Sequence, residues 1–268
     1  MRVGILGGGF MGEAFIKGLL RANISSANEI VVAEISQPRR SKLLEYGVRL
    51  ETDLKSACID AELVLIALKP QDLEAIATLR GEIAPSTLLV SIAAGTPLSK
   101  LQQISLHKQV VRVMPNLPAA IGEGAAVYLA APEVTEAQRI LLHNMLEAVA
   151  TVAIEAVDDQ SVDLATALHG SGPAYVYLII EALVDAATEL GMARSDATTL
   201  VLATVAGSAR YAIESGSEPA ELRKAVTSPG GTTAAALAEI ESAGVRSAFS
   251  NAVNAAFQRA NELAENGD

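Results

Sequence analysis

The 268-residue sequence has a single cysteine, no tryptophan, five tyrosines and four phenylalanines. One cysteine, Cys58, cannot close an internal disulfide, so a reducing compartment, the cytoplasm, is the expected home. Basic residues are also few: 20 Lys+Arg against 31 Asp+Glu give a net charge of −11. Nucleic acid and anionic membranes both attract clustered Lys and Arg, so neither is an expected partner. The uncharged, apolar-rich stretch Ala197–Ala209 falls well short of the ~20 residues of a membrane span. The N-terminus lacks the basic region, apolar core and cleavage site of a signal peptide. Only three histidines occur, His107, His143 and His169, and His107 and His143 sit in polar stretches that read as surface. HExxH, Cys/His clusters and GxSxG are all missing, so no metal site and no serine hydrolase is expected. What remains is half hydrophobic and 19% charged, the composition of a globular chain with a real core rather than a disordered one. Its length fits about two domains.

The two halves differ in periodicity. Short β-branched runs at Arg2–Leu6, Glu29–Glu34, Leu63–Leu68, Thr87–Ile92, Gln109–Met114, Ala125–Leu129 and Thr151–Ile154 read as strands. Helical patterns fall between them at Phe10–Ala22, Ser41–Tyr46, Gln71–Arg80 and Val134–Ala148. Apolar strands alternating with helices indicate an α/β fold with a parallel sheet covered on both faces. From about Gln160 no strand is expected. Helices read at Pro173–Leu190, Asp196–Glu214, Pro219–Val226, Thr233–Glu241 and Val245–Glu265, with glycine breaks between them. Alanine supplies 25 of these last 109 residues, which favours helix and lets helices approach closely. Net charge divides as −4 for residues 1–159 and −7 for 160–268. The expected domains are therefore 1–159 and 160–268.

The strongest motif opens the chain. Gly7, Gly9 and Gly12 form GxGxxG directly after a strand and at the start of a helix. In a dinucleotide site the first glycine permits the tight turn, the second admits a pyrophosphate, and the third lets the helix pack on the strand. The helix N-terminus then stabilises the phosphate charge. Glu34 ends the second strand, where an acid accepts hydrogen bonds from the adenosine ribose hydroxyls and favours NAD. Arg39 and Arg40 follow closely, and Ser36 can meet a 2′-phosphate, so NADP stays open beside NAD. Three further strand ends point to the same pocket, because ligands of such sheets sit at the carboxyl ends of the strands. These are Ala67-Leu68-Lys69-Pro70-Gln71, Ser91-Ile92-Ala93-Ala94-Gly95 and Arg112–Pro118, the last carrying Asn116.

The helical half carries two unusual segments. His169-Gly170-Ser171-Gly172-Pro173-Ala174-Tyr175 interrupts a helical pattern with glycines and a proline, which marks a turn, a kink or a close ligand approach. Val226–Thr233 reads VTSPGGTT: four hydroxyls and two glycines just before an alanine helix. Such a helix start suits a carboxylate or phosphate, or serves only as an elaborate N-cap.

Together these segments resemble pyrroline-5-carboxylate reductase, a family whose motifs the chain matches over nearly its whole length: the glycine loop, LKPQ from Leu68, SIAAG from Ser91, RVMPNLP from Arg112, GSGPAY from Gly170 and VTSPGGTT from Val226. The resemblance implies an N-terminal Rossmann-type doubly wound sheet followed by an all-α dimerisation domain. It implies reduction of 1-pyrroline-5-carboxylate to L-proline with NADPH, or with NADH. It also implies a homodimer of interlocking helices, commonly five dimers in a ring, with the active site where two subunits meet. Carried over by motif, Ser228, Gly230, Gly231, Thr232 and Thr233 hold the substrate carboxylate, and Thr233 also stands near the ring nitrogen. Thr166 approaches the nicotinamide carboxamide, and Thr233 and Thr166 are the catalytic candidates. Gly9, Phe10 and Met11 form the pyrophosphate loop, while Ala67, Lys69, Pro70, Ala93 and Ala94 wall the ribose and nicotinamide. Many members have Asn at the position of Phe10, Thr at Leu117 and Ser at His169, and Glu34 departs from the family's usual NADPH preference.

Two rival readings make different demands. A 3-hydroxyacid dehydrogenase needs a proton-handling residue, commonly lysine, on the helix after its glycine motif, and Pro173–Leu190 has no lysine. A non-enzymatic dinucleotide sensor leaves VTSPGGTT without a task. An electrophilic iminium, by contrast, needs little acid–base equipment, because positioning carries most of the catalysis.

Overall fold

The computed structural model describes residues 1–265. Its sheet has eight strands: β1 (Val3–Leu6), β2 (Ile30–Ala33), β3 (Arg49–Glu51), β4 (Leu63–Ile66), β5 (Leu88–Ser91), β6 (Val110–Pro115), β7 (Gly124–Ala130) and β8 (Ala150–Glu155). Their order is β3-β2-β1-β4-β5-β6-β7-β8. The first six are parallel, β7 pairs antiparallel with β6, and β8 runs parallel to β7. The direction of strand addition reverses between β1 and β4, which opens the ligand crevice of a doubly wound sheet at the carboxyl ends of these strands.

Side chains alternate across a strand, and here both faces are covered. Ile5, Leu63, Leu65, Leu88 and Val90 join one apolar cluster with Phe15, Ile16, Leu19, Leu142 and Met145. Leu6, Val64, Ile66 and Leu89 join the other with Leu73, Ile76, Leu79, Leu101 and Ile104. The strands therefore read as unbroken apolar runs in the sequence.

Helices α1 (Phe10–Arg21), α2 (Gln37–Leu43), α3 (Leu54–Cys58), α4 (Leu98–Ser105) and α5 (Glu136–Glu147) connect the strands. The helix expected over 41–46 starts earlier, because Pro38 sits in its first turn, where a missing N–H costs nothing. It ends as a 3-10 turn at Leu44–Tyr46. The helix expected over 71–80 is a run of 3-10 turns from Pro70 to Leu79. β3, α3 and α4 had no counterpart in the sequence reading. His107, expected at the surface, is buried, and its Nε2 lies 2.7 Å from Thr87 O. The cause is Leu106, whose left-handed backbone (φ 52°) ends α4, turning its own apolar side chain outward and the histidine in.

Helices follow from there: α6 (Asp159–Ala165), α7 (Gly172–Glu189), α8 (Arg194–Ser215), α9 (Pro219–Ala225), α10 (Thr232–Ser242) and α11 (Val245–Glu265). The expected break at Gly170–Pro173 is a π turn over Thr166–Gly170 followed by a bend at Ser171. Because helical structure runs on either side of that bend, Asp159–Glu189 is long and apolar enough by composition to cross a membrane; only its part from Pro173 is expected as a helix from the sequence, and α6 is not. The chain forms two compact units, one of Met1–Ser171 with Ala256 onward, the other of Gly172–Ala255. α11 thus contributes residues to both. Within the first unit its last turns approach the loop after β5, where a Cβ on Gly95 would lie 3.0 Å from Leu263.

Candidate active site

The three glycines of the opening motif each meet a distinct constraint. Gly7 has φ +99°, and a Cβ there would lie 2.8 Å from Ala67 O. Its N–H donates to Ala33 O at 2.9 Å, tying the loop to the end of β2. A Cβ on Gly12 would collide with Gly7 O, so α1 can pack this closely only without a side chain there. Gly9 has nothing within 4 Å of a Cβ position. It is the N-cap of α1, and no side chain accepts from the helix's first N–H groups. An open, uncapped helix start beside a glycine loop fits a pyrophosphate. Phe10 and Met11 are the first residues of α1, with Phe10 exposed and Met11 half-buried.

Glu34 stands directly above this loop. Its Oε2 accepts from Gly8 N at 2.9 Å, and its Oε1 accepts from Ser36 N at 2.7 Å. Arg40 turns away from that corner, donating to Glu34 O at 3.0 Å and Glu51 O at 2.7 Å. Arg39 reaches Glu13 instead, at 3.3 Å. Glu13 is a buried carboxylate on α1 that also accepts from Lys17 and Lys42, both at 2.9 Å, and from Tyr46 Oη at 2.8 Å. Burial pushes its pKa up, but hydrogen bonds from Lys17, Lys42 and Tyr46 outweigh burial and hold it at about 2. The partners come from α1, α2 and the turn after it, so no local motif announces the cluster.

The residues expected to wall the ribose and nicotinamide lie at the other strand ends. Ala67 follows β4, with exposed Lys69 and Pro70 next to it; Ala93 is buried and Ala94 exposed after β5. Asn116, expected on the cofactor, has its amide committed to backbone: Oδ1 accepts from Ala125 N at 2.9 Å and Nδ2 donates to His169 O at 3.3 Å. The His169 ring bridges two carbonyls, Ala165 O at 2.6 Å and Met114 O at 2.9 Å. It therefore clasps the end of β6 to the π turn. Thr166 opens that turn, donating its hydroxyl to Val162 O at 2.8 Å, which leaves oxygen lone pairs to accept. Arg112, in the middle of β6, is buried and ion-paired to Asp159 at 2.6 Å and to Asp163. Asp159 also accepts from Leu98 N at 3.0 Å. α6, which leads into Thr166, is thus anchored to the sheet by charge. Only the RVMPNLP motif hinted at this arginine, and without its aspartates.

In the second unit, Gly230 has φ +70° and Gly231 is the N-cap of α10. A Cβ on Gly231 would collide with Ser228 Oγ. No side chain caps α10, so neither Thr232 nor Thr233 spends its hydroxyl as the N-cap of its own helix. The loop therefore offers backbone N–H groups together with the Ser228, Thr232 and Thr233 hydroxyls, a donor set that fits a carboxylate.

Known proteins match the chain along nearly its whole length. Residues 159–263 match the pyrroline-5-carboxylate reductase dimerisation family, and residues 2–95 match an NADP oxidoreductase family described as coenzyme F420-dependent. Pyrroline-5-carboxylate reductase of Methanosarcina acetivorans is 37% identical over 98% of this chain and 97% of its own. Among solved structures, the pyrroline-5-carboxylate reductase of Coxiella burnetii superposes with a TM-score of 0.90 at 33% identity, covering 98% of each chain. The Plasmodium falciparum pyrroline carboxylate reductase, solved with NADP bound, gives 0.88 at 27% identity, again over 98% of each.

Proposed function

The chain belongs to the pyrroline-5-carboxylate reductase family, and from that premise we propose how its own residues carry out the reaction. It is an NAD(P)H-dependent oxidoreductase acting on a C=N bond, reducing 1-pyrroline-5-carboxylate to L-proline. It works as a homo-oligomer on a small-molecule substrate. When bound, the dihydronicotinamide supplies the hydride that the C=N carbon accepts. The glycine loop holds the pyrophosphate through the N–H groups at the start of α1, with Gly9 leaving the space and Phe10 and Met11 following it. Ala67, Lys69, Pro70, Ala93 and Ala94 wall the ribose and nicotinamide. Asn116 and His169 act behind this wall, fixing the turn that presents Thr166 to the carboxamide.

The N–H groups of Gly230, Thr232 and Thr233, with the Ser228 hydroxyl, hold the substrate carboxylate; Gly231, whose own N–H donates to Ser228 O at 3.1 Å, shapes the loop around it, and Thr233 orients the ring nitrogen. The uncapped start of α10 is the observation that carries this assignment. No strong general acid is asked of the chain, because the imine arrives already protonated as the iminium or takes its proton from water as the hydride is transferred. The functional boundary lies near 159, where the dimerisation match begins. We place the enzyme in the cytoplasm, with five dimers forming its ring.

Oxidation of NADPH and NADH, followed with and without the imine, tests the activity; cofactor binding with no turnover would make the chain a sensor. Thr233→Ala tests the site. The expected outcome is a loss of about tenfold or more in kcat/KM for the imine with cofactor affinity preserved, and unchanged turnover removes Thr233 from its role.

A further inference from the structure

Both nitrogens of the His169 ring face backbone carbonyls. Nδ1 lies 2.6 Å from Ala165 O, and Nε2 lies 2.9 Å from Met114 O. A carbonyl oxygen only accepts, so each contact needs an N–H on the ring. Neutral imidazole carries one N–H and the imidazolium carries two. We infer that His169 is a positioning residue that works as its doubly protonated cation, and that losing one ring proton opens the clasp and loosens the enzyme's hold on the nicotinamide. The inference rests on the assignment of Thr166 to the carboxamide and adds a control to it.

The ring stands where an opening would be felt. Ala165 immediately precedes Thr166, and Met114 lies near the carboxyl end of β6. The protonated ring thus ties the turn that carries Thr166 to the sheet. Asn116 holds the same residue by its backbone, donating from Nδ2 to His169 O at 3.3 Å. When one proton leaves, a nitrogen lone pair is left facing a carbonyl oxygen at hydrogen-bond distance, and that contact becomes repulsive. Losing the bond to Met114 O frees the ring from the sheet, and losing the bond to Ala165 O swings it out of the turn. Either change moves backbone beside Thr166. The glycine loop, held by β1 and α1, is left alone.

β6 and α6 pack closely against this turn. Their charged groups are Arg112, Asp159 and Asp163, paired with one another, and Asp158 caps α6. Carboxylates outnumber the one guanidinium, so no unpaired cation on either element opposes a charged ring. Histidine is the side chain whose charge changes between about pH 5 and 8. The clasp is complete on the acid side of that range and is lost as pH rises through it.

The test compares two ligands of the full-length oligomer without imine, by calorimetry. One is NADPH; the other is 2′-phospho-ADP-ribose, which shares the pyrophosphate and 2′-phosphate but lacks the nicotinamide. Titration of the 2′-phosphate affects both alike, so the ratio of their affinities reads the nicotinamide end. In the wild type this ratio should fall about fivefold or more between about pH 5.5 and 8. His169→Gln keeps its donors on one nitrogen, and His169→Ser has one hydroxyl; in both the ratio should start lower and stay level across that range. A wild-type ratio that does not change with pH overturns the inference, whether or not the variants fold. A slope that survives in a folded variant also overturns it, because the titrating group then lies elsewhere. Thr166→Val tests the assignment beneath: its ratio should be low and level too. A Thr166→Val ratio equal to wild type at every pH would remove Thr166 from the carboxamide, while the wild-type slope still shows the clasp acting on the nicotinamide end. With no imine present, none of these outcomes bears on the reductase assignment, which the turnover assay decides.

Discussion

At the residue scale the most heavily committed group is Glu13. A single glutamate in the first turn of a helix reads as a favourable dipole partner, and nothing in its neighbourhood of sequence says more. The structure buries it and surrounds it with Lys17, Arg39, Lys42 and Tyr46. Its pKa falls from 4.5 to about 2, so the folded state binds its proton more weakly than the unfolded chain does. The resulting stability is complete above about 4.5 and is lost as pH drops from there toward 2. Its partners are partly exposed and screened, so the contribution is on the order of 2–3 kcal/mol. Glu13→Gln should lose about that much at pH 7 in denaturant titrations, and the gap to wild type should close between pH 4.5 and 2. A gap that does not change with pH would assign the loss to packing. The glycine positions were legible where Glu13 was not, because their spacing falls within six residues of one loop, even though Gly7 meets Ala67 O and Ala33 O from other strands.

At the element scale, β6 and α6 show how a strand of a parallel sheet holds a helix it does not adjoin in sequence. Arg112 lies in the sheet interior, and Asp159 and Asp163 come from successive turns of α6. Removing the arginine leaves Asp163 buried without its cation. Arg112→Met should therefore destabilise the enzyme by about 3–5 kcal/mol, measured as a drop in chemical unfolding midpoint. A loss below about 1 kcal/mol would mean that water replaces the guanidinium. The elements that the sequence announced were those with long apolar runs or strong periodicity. β3 was illegible because it is three residues long, with Arg49 and Glu51 flanking a single apolar side chain. α3 has only five residues, and its N-cap Asp53, which accepts from Ser56 N, is the only strong local signal. The Gly170–Pro173 segment was legible as a break because its signal is local: the π turn ends at Gly170, with Met114 packed close to it, the chain bends at Ser171, and Pro173 sits in the first turn of α7.

At the scale of the whole molecule, the two units are built on different accounts of burial. The first has two apolar layers around its sheet. In the second, Val184 is the one buried residue of α7 and Ala197 that of α8, while α9 and α10 have none. Large apolar side chains stay in the open instead, Leu178 at 65% and Ile213 at 81% exposure among them. A surface of that kind marks association, in keeping with the dimerisation family matched over residues 159–263. Sedimentation at micromolar protein should show a dimer or a multiple of one, and a monomer there would contradict the assignment.

The bareness of α7–α10 also makes the enzyme's durability a matter of quantity. When folding of a segment is completed by a second copy, mass action links its stability to the amount of protein present. The melting transition of the helical half should rise with concentration, while a transition belonging to the sheet stays put. Dilution would then silence the reductase by melting its substrate loop before it disturbs cofactor binding.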